Sequence, residues 1–176
     1  MSKLYSEDFQ KRLSKLKILI LDVDGVMTDG TVFWNGQGWS RRFCIRDGYG
    51  IRTLVREGFK LGVLSGGKSE DVAERMKFLG IHHVFLGNEE KLGGFKQILD
   101  REKLSSEETA YIGDELFDLP VLEAAGVSAT VPHAPKVLKD RVDFITQNSG
   151  GDGAVRDFID AIRFAQKIGP FPERPF

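Results

Sequence analysis

Two carboxylates one residue apart, Asp22 and Asp24, follow the aliphatic run Ile18-Leu19-Ile20-Leu21 and precede Gly25. Side chains alternate along a strand, so the two acids share a side only while the chain stays extended. A glycine there allows the sharp turn that brings both into one crevice. Carboxylates this close, with apolar chain behind them, repel each other and need a cation, a proton or hydrogen-bond donors. Three further groups stand at comparable places: Ser65 at the end of Lys60–Ser65, Lys91 at the start of a helix, and Asp114 behind the apolar stretch from Thr109. Each has a simpler reading alone. A bare Asp-x-Asp is an acidic turn, a strand-end serine forms a turn, a helix lysine is solvated, and Asp114, Glu115 and Asp118 make an acidic loop.

Taken together, the set suits phosphoryl transfer through an aspartate. A hard dication takes oxygen ligands, commonly one or two carboxylates plus phosphate and water. One carboxylate acts as nucleophile and forms an aspartyl-phosphate, which splits a hard hydrolysis into two easier steps. A second donates a proton to the leaving alkoxide and later accepts one from water. Lysine and serine supply a charge and a donor to the equatorial oxygens.

The elements that must position these groups are legible. An amphipathic helix is expected over 6–15, with Ser6 as N-cap, then a strand buried on both faces. Residues 30–44 read as a β-hairpin around Asn35-Gly36, loaded with Trp34, Trp39 and Phe43. Helices are expected over 48–57, from Ser69 to Gly80, over 90–103, from Pro120 to Gly126, and from the loop 150–153 to about Ile168. Strands are expected at 60–65, 83–86, 109–114, 127–131 and 142–145, and a capping box at Ser105–Glu108. The proline-rich tail, 169–176, reads as flexible and non-helical. Alternating strands and helices predict an α/β fold, a three-layer Rossmann-like parallel sheet, in which all the polar strand ends share one edge.

Bulk properties narrow the class. A chain of 176 residues, 41% hydrophobic and 29% charged, reads as one globular domain. A formal charge of −1 gives no field for nucleic acid or an anionic membrane, and no apolar run approaches a membrane span. The single Cys44 excludes an intrachain disulfide and fits a reducing compartment, so the expectation is cytoplasmic.

The segments Asp22-Val-Asp-Gly-Val26, Ser65, Lys91 and Gly113-Asp114-Glu-Leu-Phe-Asp118 resemble, in order, the four motifs of the haloacid dehalogenase superfamily phosphatases. The resemblance spans nearly the whole chain. It implies a minimal cap with a β-hairpin insertion, Asp22 as nucleophile, and Asp24 as general acid/base. It also implies Mg2+ on Asp22, the Asp24 carbonyl and Asp114, with Ser65 and Lys91 on the phosphoryl group and Asp118 supporting Lys91 or the metal. The stretches Arg46-Asp-Gly-Tyr-Gly-Ile-Arg52 and Gly150-Gly-Asp-Gly-Ala-Val-Arg156 are similar to the small-cap branch acting on an eight-carbon sugar-acid phosphate of lipopolysaccharide synthesis. That branch assembles homotetramers through its hairpins.

One departure stands out. Where those enzymes carry an arginine after Ser/Thr-Gly, this chain has Ser65-Gly66-Gly67-Lys68. Lysine lacks the planar fork that grips a carboxylate. Lys68 and Asp152 match related phosphatases of nine-carbon nonulosonate 9-phosphates, which stand as the alternative substrates. Arg46, Gly66 and Lys68 are the candidate substrate-binding residues.

Other features read as structural. His82 and His83 adjoin on a strand and point to opposite faces, and His133 lies far along the chain, so no histidine metal site is expected. Cys44 reads as packed, Lys136 and Lys139 as solvated, and Gly150–Gly153 as a loop-to-helix turn. Two other classes compete: a phospho-accepting receiver domain, which lacks the paired acid/base that Asp24 supplies, and an idle scaffold assembled through the hairpin.

Overall fold

A computed structural model describes residues 6–169. Its centre is β1 (Ile18–Leu21), buried at every residue. Parallel neighbours flank it: β4 (Lys60–Ser65) on one side and β6 (Thr109–Ile112) on the other. Beyond them lie β5 (His83–Leu86), then β7 (Val127–Thr130) and β8 (Phe144–Ile145), in the order β5-β4-β1-β6-β7-β8. The chain fills one side of β1 before crossing to the other. The carboxyl end of β1 is therefore the switch point of the sheet, where a crevice opens.

The aliphatic run of β1 divides by parity between two cores. Leu19 and Leu21 pack with α1 (Glu7–Lys15), α2 (Ile45–Arg56), α3 (Glu70–Leu79) and α7 (Ala154–Gln166) through Leu13, Ile51, Met76 and Phe158. Ile18 and Ile20 pack on the other face with α4 (Lys91–Glu102), α5 (Leu119–Ala124) and α6 (Lys136–Lys139) through Ile98, Leu122 and Leu138. Each buried side chain contributes about 2 kcal/mol of transfer free energy. The strand that carries the acids is thus held on both faces and both edges.

Three expectations shift. The helix expected from Gly48 starts at Ile45, so Arg46 and Asp47 lie in its first turn. Gly48 and Gly50 lower helix propensity yet lie inside the helix, and Arg75 and Arg156 pack over them, Arg75 Nη2 2.5 Å from where a Cβ at Gly48 would stand and Arg156 Cδ 3.0 Å from one at Gly50. The hairpin expected over 30–44 reduces to β2 (Phe33–Trp34) and β3 (Trp39–Ser40), paired Phe33 with Ser40 and Trp34 with Trp39. Its far arm stops at Ser40, after which Arg41 is drawn to α3, its N–H donating to Asp71 Oδ2 at 2.8 Å. The strand expected over 142–145 shortens to Phe144–Ile145, and Lys136 and Lys139 bound the unexpected short α6. The tail from residue 170 onward lies outside the described residues. Among the described residues, no helix is long and apolar enough to cross a membrane.

Candidate active site

Asp22 is the first residue past β1 and is 2% exposed. Its Oδ1 accepts from the Val23 N–H at 2.6 Å and lies 2.8 Å from Lys91 Nζ. The turn after it follows from Gly25, at φ +80°, whose missing Cβ leaves the space that Asp114 Oδ2 fills. Thr28 braces the loop from inside, its hydroxyl accepting from the Gly25 and Gly30 N–H groups. The Gly150–Gly153 loop lies directly against this turn, since Gly150 backs onto Gly25 and Gly151 onto Asp29. Those glycines serve as a loop-to-helix turn, and they also let one backbone lie on another.

Lys91 opens α4 yet its side chain is fully buried. Its Nζ lies 2.6 Å from Asp118 Oδ1 and over the Phe117 ring, 4.5 Å from the centroid. Asp118 is also fully buried, and its acceptors are used. Oδ1 takes Lys91 and the Tyr111 hydroxyl, both at 2.6 Å, while Oδ2 takes the Asp114 and Glu115 N–H groups, both at 3.0 Å. Gly113 makes this possible, because a Cβ there would lie 2.5 Å from the Asp118 carboxyl carbon. Asp118 therefore bonds Lys91, Tyr111 and the loop after β6 at once.

Asp22, Asp114 and Asp118 each offer an oxygen within 4.8 Å of the others, the group of possible metal ligands among the described residues. Asp114 Oδ1 is buried without a hydrogen-bond partner. Burial, reinforced by Asp118, pushes the Asp114 carboxyl up to about 6. Burial and then Asp118 also drive Asp22 well above the ordinary carboxylate range, against the pull of Lys91. A buried cluster with an orphaned oxygen and insufficient positive charge fits a hard dication with oxygen ligands.

The Asp24 side chain is not in that cluster. It is 40% exposed and forms an ion pair with Arg41, which the sequence reading did not single out. Ser65 is buried at the end of β4, its hydroxyl accepting from the Gly67 N–H at 3.1 Å. A Cβ on Gly67 would lie 3.1 Å from both Arg41 Nη2 and Asp24 Oδ2, so the departure from arginine has a steric counterpart. Gly66 packs against Glu89, and Lys68 is exposed beside Gly87. Arg46 bonds Asp152, through Nη2 to its carbonyl oxygen at 2.8 Å and to Oδ1 at 2.5 Å, with 60% of its side chain exposed.

The histidines divide. His82 Nδ1 accepts from the Leu61 N–H, and His83 pairs with Glu102, both away from the acids. His133 instead comes within 3.5 Å of Asp114 Oδ2, a neighbour that sequence distance concealed.

An acidic pair leaving the central strand, with a hydroxyl, a lysine and an acid on adjacent strand ends, defines a haloacid dehalogenase-like hydrolase. The profile of that family matches residues 76–159. The 3-deoxy-D-manno-octulosonate 8-phosphate phosphatase of Escherichia coli strain B is 38% identical over 162 residues, 92% of this chain and 86% of the relative. The Yersinia pestis phosphatase of the same name superposes with a TM-score of 0.88 at 36% identity, over 92% of this chain and 88% of that one. The Moraxella catarrhalis phosphatase, solved with magnesium, phosphate and KDO, gives 0.89 at 32% identity, over 93% and 94%. The chain belongs to this family of 3-deoxy-D-manno-octulosonate 8-phosphate phosphatases within the haloacid dehalogenase-like hydrolases.

Proposed function

We propose that the protein is a Mg2+-dependent phosphoric monoester hydrolase that converts 3-deoxy-D-manno-octulosonate 8-phosphate (KDO 8-phosphate) to KDO and phosphate. The observation that carries the reading is the buried cluster of Asp22, Asp114 and Asp118 with Lys91 between two of its members.

Asp22 and Asp114, with the Asp24 carbonyl, would hold the metal, which when bound neutralises the carboxylates and polarises the phosphoryl oxygens. Lys91 and Val23 N–H hold Asp22 Oδ1, so Oδ2 is the oxygen assigned to attack. Its attack on phosphorus forms the aspartyl-phosphate as the bond to the sugar oxygen breaks. Asp24 donates the proton that the leaving alkoxide needs, then takes one from the water that hydrolyses the aspartyl-phosphate. Ser65 Oγ and Lys91 Nζ stabilise charge on the equatorial oxygens. Asp118 keeps Lys91 in place. The receiver-type alternative is not favoured, since a separate acid/base beside the nucleophile serves turnover rather than storage of a phosphoryl group.

Arg46 and Lys68 are assigned to the sugar acid, with Gly66 giving the backbone room to approach it. For Arg46 this requires that substrate displace Asp152. The role in lipopolysaccharide synthesis follows from the substrate, and the free Cys44 is consistent with a cytoplasmic setting. A homotetramer is supported by the hairpin, where Val32, Phe33, Trp34 and Trp39 are 43–60% exposed on a two-stranded ribbon that is marginal alone. Light scattering tests this: Trp34→Ser with Trp39→Ser converts the assembly to smaller species.

The deciding assay is phosphate release with Mg2+ from KDO 8-phosphate and from a nine-carbon nonulosonate 9-phosphate. The eight-carbon substrate is expected to have the higher kcat/KM. No turnover of either ester would refute the reading.

A further inference from the structure

Arg41 leaves the hairpin and enters the crevice, where its side chain is 9% exposed. One edge of its guanidinium meets Asp24 as a fork: Nε donates to Oδ1 at 2.5 Å and Nη2 to Oδ2 at 3.1 Å. Nη1 donates to Ser69 Oγ at 2.8 Å and lies 3.4 Å from Asp71 Oδ1. Ser69 in turn donates to Asp71 at 2.5 Å, at the start of α3. Arg41 is thus fixed from behind by α3 and by its own backbone bond to Asp71. Asp24 accepts no other side-chain hydrogen bond among the described residues, although 40% of its side chain is exposed. A carboxylate so exposed samples several rotamers unless something fixes it. A two-point fork fixes both its plane and its direction.

Gly67 supplies a second, independent observation. A Cβ there would lie 3.1 Å from Arg41 Nη2 and 3.1 Å from Asp24 Oδ2, closer than ordinary contact to both halves of the pair. The loop after β4 therefore carries no side chain at the point where the pair closes.

We infer that Arg41 is a positioning residue for Asp24, which makes the hairpin arm part of the catalytic apparatus. The inference rests on the assignment of Asp24 as general acid/base. Arg41 aims the Asp24 carboxylate at the leaving oxygen, and Ser69 and Asp71 aim Arg41. Lysine at position 41 keeps the charge but not the plane.

The test is steady-state kinetics on KDO 8-phosphate with Mg2+ for Arg41→Met, Arg41→Lys, Gly67→Ala, Asp24→Asn and the double variant Arg41→Met/Asp24→Asn, each checked by thermal melting. Arg41→Met is expected to lower kcat on the order of 10- to 100-fold, a part of what acid/base catalysis contributes, with KM within about two-fold. Arg41→Lys restores only part of the loss, and Gly67→Ala, which leaves both charges in place, lowers kcat in the same way. The double variant is no slower than Asp24→Asn alone, because Arg41 acts through Asp24. An unchanged kcat in Arg41→Met beside an inactive Asp24→Asn overturns the inference alone. So does a loss confined to KM, or two losses that multiply. Full activity in Asp24→Asn overturns the acid/base assignment and the inference with it.

Discussion

Lys91 Nζ lies 2.6 Å from Asp118 Oδ1, and neither side chain has any exposed surface. Removing Asp118 leaves Lys91 paired with Asp22 at 2.8 Å but orphans the buried Tyr111 hydroxyl, and a buried donor left unsatisfied costs about 1–3 kcal/mol. Asp118 carries more than the pair, since its second oxygen also holds two loop N–H groups. With three donors left without an acceptor, Asp118→Ala is expected to destabilise by at least about 3 kcal/mol in urea denaturation. It should also lower kcat, as Lys91 loses its anchor. A melting curve superimposable on that of the parent would contradict this account.

Asp22→Asn separates chemistry from fold. The substitution removes the attacking oxygen and one of the mutually repelling buried carboxylates. Phosphate release is expected to fall by at least about 10³-fold, while thermal stability without metal stays equal or rises. Surviving turnover would show that Asp22 is not the nucleophile.

Mg2+ affinity should follow the protonation of Asp114. Its carboxyl is pushed up to about 6, so it holds a proton below that pH and must lose it to ligate a cation. Calorimetry on the metal-free protein should give a Kd about 10-fold weaker at pH 5 than at pH 8, from this group alone. An affinity independent of pH across that window would remove Asp114 from the ligand set.

Asp47 predicts a pH dependence of stability away from the metal. Burial raises its carboxyl from 3.8 to about 6, against the N–H donated by Arg156. Its other oxygen is buried without a partner. A folded-state value above the unfolded one means the protonated form is favoured by folding. That contribution is fully present below about 3.8 and is lost as pH rises through about 6. Asp47→Asn removes the cost of ionisation, so its stability relative to the parent should improve by on the order of 2 kcal/mol between pH 4 and pH 8. Denaturant midpoints at those two pH values check the sign.

The order of elements and the chemistry-bearing strand ends are legible because their causes are local. A short run of aliphatics closed by turn residues reads as a strand buried on both faces, and an acid right after it then emerges at the sheet edge. Apolar spacing located α3 and α4, and the glycine loop before it located α7, for the same reason. Local pattern misplaced the start of α2 by three residues, because the N-cap, Cys44, makes no side-chain cap and so leaves no start signal in the chain. Lys91 shows the limit well: nothing local distinguishes it from a solvated helix lysine, and burial between Asp22 and Asp118 does.

The sequence by itself determined which groups stand at the sheet edge, since strand periodicity and turn residues act over a few positions. Tertiary structure alone decided how those groups pair. Arg41 reaches Asp24 across 17 positions, His133 reaches Asp114 from the chain after β7, and Asp118 turns inward through the gap at Gly113. Those contacts depend on where whole elements pack and on the space glycines leave between them, and no local pattern in the chain records either.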